Sequence, residues 1–307
     1  MRDVFLALSK NATVRQLVVG FPPSRLVSRR FVAGETLDET IGVVRKLNGQ
    51  GLRVTIDVLG ESVTSEAEAR AAKDAYLRTL DAIASNGVKS NVSVKLTQMG
   101  LALSPDLCLD NMRQIVGRAK EVGAFTRIDM EDSPYTQSTL NIFKTLREEF
   151  DNVGIVIQAY LYRSEEDMQQ LRAMGADVRL CKGAYKEPAE IAFPLKRDVD
   201  ANYVKLAEAY LKPNGQENGA FLALATHDEK MIHWAKGYAA ANKLDQRQFE
   251  FQMLYGIRPG LQKQLIAEGY QVRIYVPYGT HWYPYFMRRL AERPANVIFL
   301  VSNLFRG

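Results

Sequence analysis

The residues most able to do chemistry lie near the end of the chain, in 272–292, where Tyr285, Arg288 and Arg289 recur at helical spacing behind Pro284. At 100° per residue these three share one face with Glu292, and Phe286, Met287, Leu290 and Ala291 take the other. Two neighbouring guanidiniums can each donate a pair of parallel hydrogen bonds, the geometry that grips a carboxylate or phosphate. Pro277 is expected to stop the preceding strand, Gly279 to make the turn, and Pro284 to sit in the first turn of a helix starting near Tyr283.

Further charged and polar residues close apolar runs upstream. They are Glu61, Lys95, Asp129, Gln158, Arg179 with Lys182, Thr226 with His227, Gln252 and Tyr275. One such residue is ordinarily half of a structural ion pair. Eight runs that end this way instead surround a common mouth, and the excess of cations there (Lys95, Arg179, Lys182, Arg288, Arg289) calls for an anion.

The elements that must position these groups are eight apolar runs at 54–59, 91–96, 126–131, 154–160, 178–182, 221–226, 249–252 and 272–276, alternating with helical stretches. Ser65 with Glu68, Ser104 with Pro105, and Ser164 with Asp167 read as helix starts. Repeated βα units with nearly unbroken apolar strands imply a parallel sheet covered by helices, and eight of them imply a (β/α)8 barrel whose chemistry sits at the carboxyl ends of the strands. An open doubly wound sheet is the alternative, but the first strand runs into 58–63 without the glycine fingerprint of a dinucleotide fold. Residues 1–48 read as a helical segment packed on the barrel, with Val4, Phe5, Leu8, Val14, Leu17, Val18, Leu26, Val27 and Phe31 as its apolar positions, and 49–307 as the barrel domain.

A chain of 307 residues, 47% hydrophobic and 24% charged, can bury a core of barrel size. Its net charge of +5 comes without a basic tract, so a nucleic-acid partner is not expected. Cys108 and Cys181 have neither metal-ligand nor disulfide spacing, which fits a reducing cytoplasm. His227, His233 and His281 form no ligand set, and no metal is expected. A lyase using Lys95 or Lys182 as a Schiff-base nucleophile and a basic binding protein are the rival functions.

The motifs at 179–185 (RLCKGAY), 249–256 (FEFQMLYG) and 272–281 (VRIYVPYGTH), closing on Arg288-Arg289-Leu290, resemble the signatures of flavin-dependent proline dehydrogenase. Lys95-Leu96, the run 127–131 (RIDME) and 225–228 (ATHD) continue the likeness in the same order, from about residue 50 to 300. The resemblance implies a distorted (β/α)8 barrel with additional N-terminal helices, holding FAD without a Rossmann motif. It also implies oxidation of L-proline to Δ1-pyrroline-5-carboxylate by hydride transfer from proline C5 to flavin N5, with electrons passed to a membrane quinone.

By that likeness Lys95, Arg288 and Arg289 hold the substrate carboxylate, and Tyr275, Tyr285, Tyr185 and Leu180 wall its ring. Asp129 and Arg179 match the catalytic acid and the arginine near the flavin; Met130, Gln158, Lys182, Gly183, Ala184, Thr226 and His227 match flavin contacts. Asp129 is expected to pair with Lys95 across the strands, and Lys182 to meet a phosphate. Cys181 stands where valine is common, and Tyr255 and Ile257 where bifunctional relatives carry histidine and methionine. The length suggests the short monofunctional type, with a Δ1-pyrroline-5-carboxylate dehydrogenase as downstream partner. A cytoplasmic protein is implied, at most peripheral to the inner face of the membrane.

Overall fold

A computed structural model describes residues 18–19, 28–60, 62–212 and 219–292, the side chains of Ala291 and Glu292 excepted. Helix α1 (Leu37–Gly49) leads into β1 (Arg53–Val58), α2 (Glu66–Ser85), β2 (Ser90–Lys95), α3 (Pro105–Glu121), β3 (Thr126–Asp129) and α4 (Thr136–Glu149). Next come β4 (Val153–Gln158), α5 (Ser164–Ala173), β5 (Asp177–Cys181), α6 (Lys196–Leu211), β6 (Phe221–Ala225) and α7 (Glu229–Ala241). Strand β7 (Phe249–Leu254), α8 (Pro259–Ala267), β8 (Val272–Tyr278) and α9 (Trp282–Glu292) complete the order.

The eight strands pair in sequence, all parallel, and β8 closes on β1. Each expected strand is present within one or two residues of its reading. Strand alternation divides the side chains into two sets. Val54, Ile56, Val92, Val94, Ile128, Ile155, Val178, Leu222, Phe251 and Ile274 face the helices and are fully buried. That interface is the main hydrophobic core, which Leu80, Ile115, Phe143 and Leu206 complete from the helix side.

The other set points into the barrel, where side chains from strands that are not neighbours meet. Asp129 of β3 bonds Arg179 of β5, and Ser93 of β2 bonds both. Such contacts are possible only across the interior. Barrels of this class ordinarily fill that space with branched aliphatic residues. Here the floor carries Arg273 on Glu250 at 2.6 Å, and Arg127 reaches across β4 to Asp177. Gly154 makes that crossing possible, since a Cβ there would lie 2.5 Å from the Arg127 guanidinium.

Two local readings need correction. Pro277 does not end β8, which continues to Tyr278; the proline's carbonyl accepts from Ala33 N at 2.9 Å, so the incoming segment meets the strand end. Gly279 then makes the turn at φ +124°, as expected. Ser164 does not cap α5. It is the helix's first residue, and its hydroxyl instead donates to the Gln158 carbonyl at 2.6 Å. Ser65 and Ser104 do cap, accepting from the amides of Glu68 and Leu107, and Pro105 opens α3.

Of the amino-terminal segment, Val4, Phe5, Leu8, Val14, Leu17, Leu26 and Val27 lie outside the described residues. Phe31 and Val32 are buried against Trp282, Tyr283, Phe286, Met287 and Leu290, and Val18 packs on the same cluster. This second core seats α9. Among the described residues no helix is long and apolar enough to cross a membrane.

Glu250 is 1% exposed and balances Arg273 and, at 3.7 Å, Arg53. Removing one partner of a buried pair leaves the other charge desolvated and costs about 3 to 5 kcal/mol. Glu250→Ala should therefore lower the urea unfolding free energy by about that amount; a loss under about 1 kcal/mol would mean that the floor pair is solvated.

Candidate active site

The carboxyl end of the barrel gathers four groups of polar side chains. In the innermost, Lys95 closes β2 and donates from Nζ to Asp57 Oδ1 at 2.7 Å and to the Tyr275 hydroxyl at 3.1 Å. Tyr275 donates onward to Asp129 Oδ2 at 2.8 Å, and Arg179 Nη1 donates to Asp129 Oδ1 at 2.8 Å. Arg179 also bonds Gln252, which donates to Glu250 at 2.6 Å. A chain of charged hydrogen bonds thus runs from the mouth to the floor. Its upper part holds two carboxylates and two cations.

The expected Lys95–Asp129 pair exists at 3.6 Å, but it is the looser of two. Asp57, fully buried on β1, is Lys95's nearer partner; it lies inside the apolar run, whereas the residue that follows that run is the polar one a strand-end pattern marks. That residue, Glu61, lies outside the described residues. A lone aspartate inside the apolar run 54–59 was the available signal, the same one that marked Asp129.

Burial alone would push the Lys95 ammonium down, yet Asp57 and Asp129 raise it well above the ordinary lysine range. It is a fixed cation, which counts against the Schiff-base alternative, because that chemistry needs the neutral amine. Burial likewise pushes Asp129 up, but Arg179 and Lys95 outweigh it and hold the carboxyl below its usual value.

A second group joins three loops. Gln158 Nε2 donates to the Glu131 carbonyl at 2.8 Å, and the Ala184 amide donates to Gln158 Oε1 at 3.2 Å. Gly183 between them has φ +125°, and a Cβ would meet the Tyr160 ring at 2.5 Å, so the turn after β5 requires glycine. The Glu131 carboxylate accepts from Thr97 N and Oγ1 at 2.9 and 2.6 Å. Its pKa is raised by burial despite those bonds.

The third group sits at the rim of β5 and β6. Lys182 donates to Asp200 at 2.5 Å and to Asp228 at 2.7 Å, and Lys196 bonds Asp200. Thr226 Oγ1 accepts from Asp228 N at 3.0 Å. His227 Nε2 accepts from Leu254 N at 2.9 Å, which fixes the imidazole neutral with its proton on Nδ1.

Helix α9 supplies the fourth group. Tyr285 is buried, Arg288 and Arg289 are half-buried, and the Arg289 guanidinium lies 5.0 Å from the centre of the Tyr285 ring. Tyr185 lies on the loop after β5, 39% exposed. Burial and Glu131 push its phenol up, while Lys95 and Arg288 act against them, so all four share one electrostatic neighbourhood.

Two expected site residues stand apart. Alternation turns Leu180 away from Arg179 and Cys181, and it is fully buried in the main hydrophobic core. Met130, next to Asp129, lies in that core too. Cys181 faces inward, and burial pushes its thiol up to about 12, which leaves it unreactive as a nucleophile.

The family model described as proline dehydrogenase matches residues 40–302 of this chain. Proline dehydrogenase 1 of Bacillus subtilis (strain 168) is 44% identical over 306 residues, which is 100% of this chain and 99% of the relative. The proline dehydrogenase of Deinococcus radiodurans is 43% identical over 286 residues, 92% of this chain and 91% of the relative. Among solved structures, proline utilization A from Bdellovibrio bacteriovorus inactivated by N-propargylglycine aligns with a TM-score of 0.82 at 29% identity, covering 88% of this chain and 33% of that one. This chain therefore spans about a third of that structure.

The rim ion pairs make a pH prediction. The hydrogen bond from Lys182 holds the Asp228 carboxyl at about 2, below the ordinary value of about 4. A depressed carboxyl stabilises the fold fully above its unfolded value and loses that contribution as pH falls through the folded one. Asp228→Asn should be less stable than the parent at pH 6, by about 1 kcal/mol after allowance for solvent. Urea titrations should show the gap narrowing at pH 3; a gap that stays constant would mean that the pairing adds no stability.

Proposed function

The chain belongs to the proline dehydrogenase family, and on that premise we propose that it oxidises L-proline to Δ1-pyrroline-5-carboxylate with FAD as resident cofactor and a membrane quinone as terminal acceptor. The observation that carries the reading is the joint arrangement of Lys95, Tyr275 and Asp129 in the barrel with Tyr185 and Arg288 above them. Cations from β2 and α9 act on the same phenol there. The arrangement suits a small ring bearing one carboxylate.

The donor set fits a flavin. Arg179 and Gln158 offer a buried guanidinium and amide, the Gly183 turn brings backbone close, and Lys182 and Lys196 offer cations for a diphosphate. When bound, the flavin would supply the acceptor for the hydride that leaves proline C5. Arg179 would favour the negative charge that reduction brings. Lys182 is held by two aspartates, so a diphosphate would share it with Asp200 and Asp228. Thr226 and His227 stand beside that rim.

The remaining steps belong to side chains. The carboxylate lies on the opposite side of the ring nitrogen from C5, so Arg288, Arg289 and Lys95, by gripping it, would orient the carbon that reacts. Tyr275, Tyr285 and Tyr185 would flank the ring and exclude water. Oxidation removes two electrons and two protons overall: C5 gives up its hydrogen with both electrons, and the ring nitrogen gives up a proton as the C=N bond forms. Lys95 cannot take that proton, being charged already. The nitrogen must reach the reacting geometry as the neutral amine. The product, a cyclic imine that retains the carboxylate, would pass to an enzyme that oxidises the hydrolysed aldehyde.

Purified protein supplied with FAD, L-proline and a soluble quinone should form the cyclic imine, detectable by mass; a protein that binds no flavin and forms no imine would overturn the reading. Arg288→Ala and Arg289→Ala should each retain flavin yet lower kcat/KM for proline at least about thirtyfold, the cost of removing one partner of a desolvated charge pair. A change under about fivefold would return that arginine to the solvated surface. Lys182→Ala should weaken flavin retention more than proline binding, and the reverse ranking would move Lys182 to the substrate side.

A further inference from the structure

Asp57 is 1% exposed, and among the described residues Lys95 is its only charged partner at hydrogen-bond distance. Tyr76, 3.5 Å from the same oxygen, has one proton and a better acceptor in the Ser93 carbonyl at 2.7 Å. The second carboxylate oxygen, Oδ2, is buried and has no partner among the described residues. A buried carboxylate this poorly satisfied costs stability unless a function retains it. Asp129, by contrast, has both oxygens bonded, by Ser93, Arg179 and Tyr275. Its charge is already matched by Arg179, 0.8 Å nearer than Lys95.

We propose that Asp57 is a positioning residue for the substrate carboxylate: it keeps Lys95 charged inside the barrel and directs an ammonium N–H toward the mouth. Lys95 has three protons; Asp57 and Tyr275 take two, which leaves the third for a ligand. The groups that face Lys95 are Asp57 on β1, Asp129 and Glu131 at the end of β3, Arg179 on β5, Tyr275 on β8, Tyr185 on the loop after β5 and, through Tyr185, Arg288 on α9. With Asp57 neutralised, Lys95 keeps only Asp129, which is farther at 3.6 Å and shared with Arg179, so less is left to offset the burial that drives an ammonium to lose its proton. The inference rests on the proline-oxidation reading only for the ligand's carboxylate, and proline turnover by the wild type tests that reading separately.

Cyclopentanecarboxylate is the suitable probe, since it keeps the ring and the anion and has no amine to titrate. Its Kd for the FAD-loaded protein, read from the flavin spectrum between pH 6.5 and 9.5, should be flat for the wild type. In Asp57→Asn it should be about tenfold weaker at pH 6.5, as a hydrogen bond between charges is lost, and should weaken further by pH 9.5 as Lys95 deprotonates. In a Lys95→Met background the same substitution should change Kd by less than about twofold, because it acts through the lysine. Wild-type affinity with a flat profile in Asp57→Asn, or an equal loss in the Lys95→Met background, would overturn the proposal. Should Asp57→Asn not fold, Asp57→Glu, which keeps the charge, is expected to retain the flat profile, and a profile that falls with pH would overturn it.

Discussion

The structure depends on one constraint, which is that charges placed inside a barrel must be neutralised by other charges inside it. From Lys95 at the mouth through Tyr275, Asp129, Arg179, Gln252 and Glu250 to Arg273 at the floor, every link but that between Gln252 and Glu250, both on β7, joins two different strands. Such a column is costly to desolvate and worthless if one member is missing. It confers a rigid set of directions. Tyr275 cannot rotate without releasing Lys95 or Asp129, and Arg179 cannot move without disturbing Ser93 and Gln252.

That neutrality shapes the mouth. Asp57 and Asp129 balance Lys95 and Arg179 in the interior, and Asp200 and Asp228 balance Lys182 and Lys196 at the rim. An arriving anion would therefore meet interior and rim cations that already hold carboxylate partners. Helix α9, which carries Arg288 and Arg289, is seated by Phe31, Val32, Trp282 and Phe286 in a hydrophobic cluster separate from the barrel core. Trp282 fastens it further through Glu35 at 3.0 Å.

Much of this was legible in the residues. Eight apolar runs with a period-2 reading in their polar members give the strands, and Ser104 with Pro105 marks a helix start that the backbone obeys. The same alternation, applied strictly beside Arg179 and Asp129, would have turned Leu180 and Met130 outward. What the sequence cannot supply is which inward residues meet across the barrel's width. That Arg179 of β5 claims Asp129, and leaves Lys95 to Asp57, follows from closure and from competition between cations at 2.8 and 3.6 Å, distances that no spacing encodes. The reading of Pro277 as a strand stop failed for a related reason. A proline near a strand end only withholds one N–H, and its carbonyl remained available to Ala33.

Recognition through the carboxylate, with oxidation of the ring beside it, would make the anion the main handle on the substrate. The most direct measurement is an anaerobic titration of the FAD-loaded protein, following bleaching of the flavin absorption with L-proline and with L-prolinamide, which has the same ring but no anion. Bleaching by proline at concentrations at least about tenfold below those needed for the amide is the result this account predicts, since a single desolvated charge contact contributes that much or more. Equal potency of the two would contradict it, because the cations of β2 and α9 would then have no part in holding the substrate.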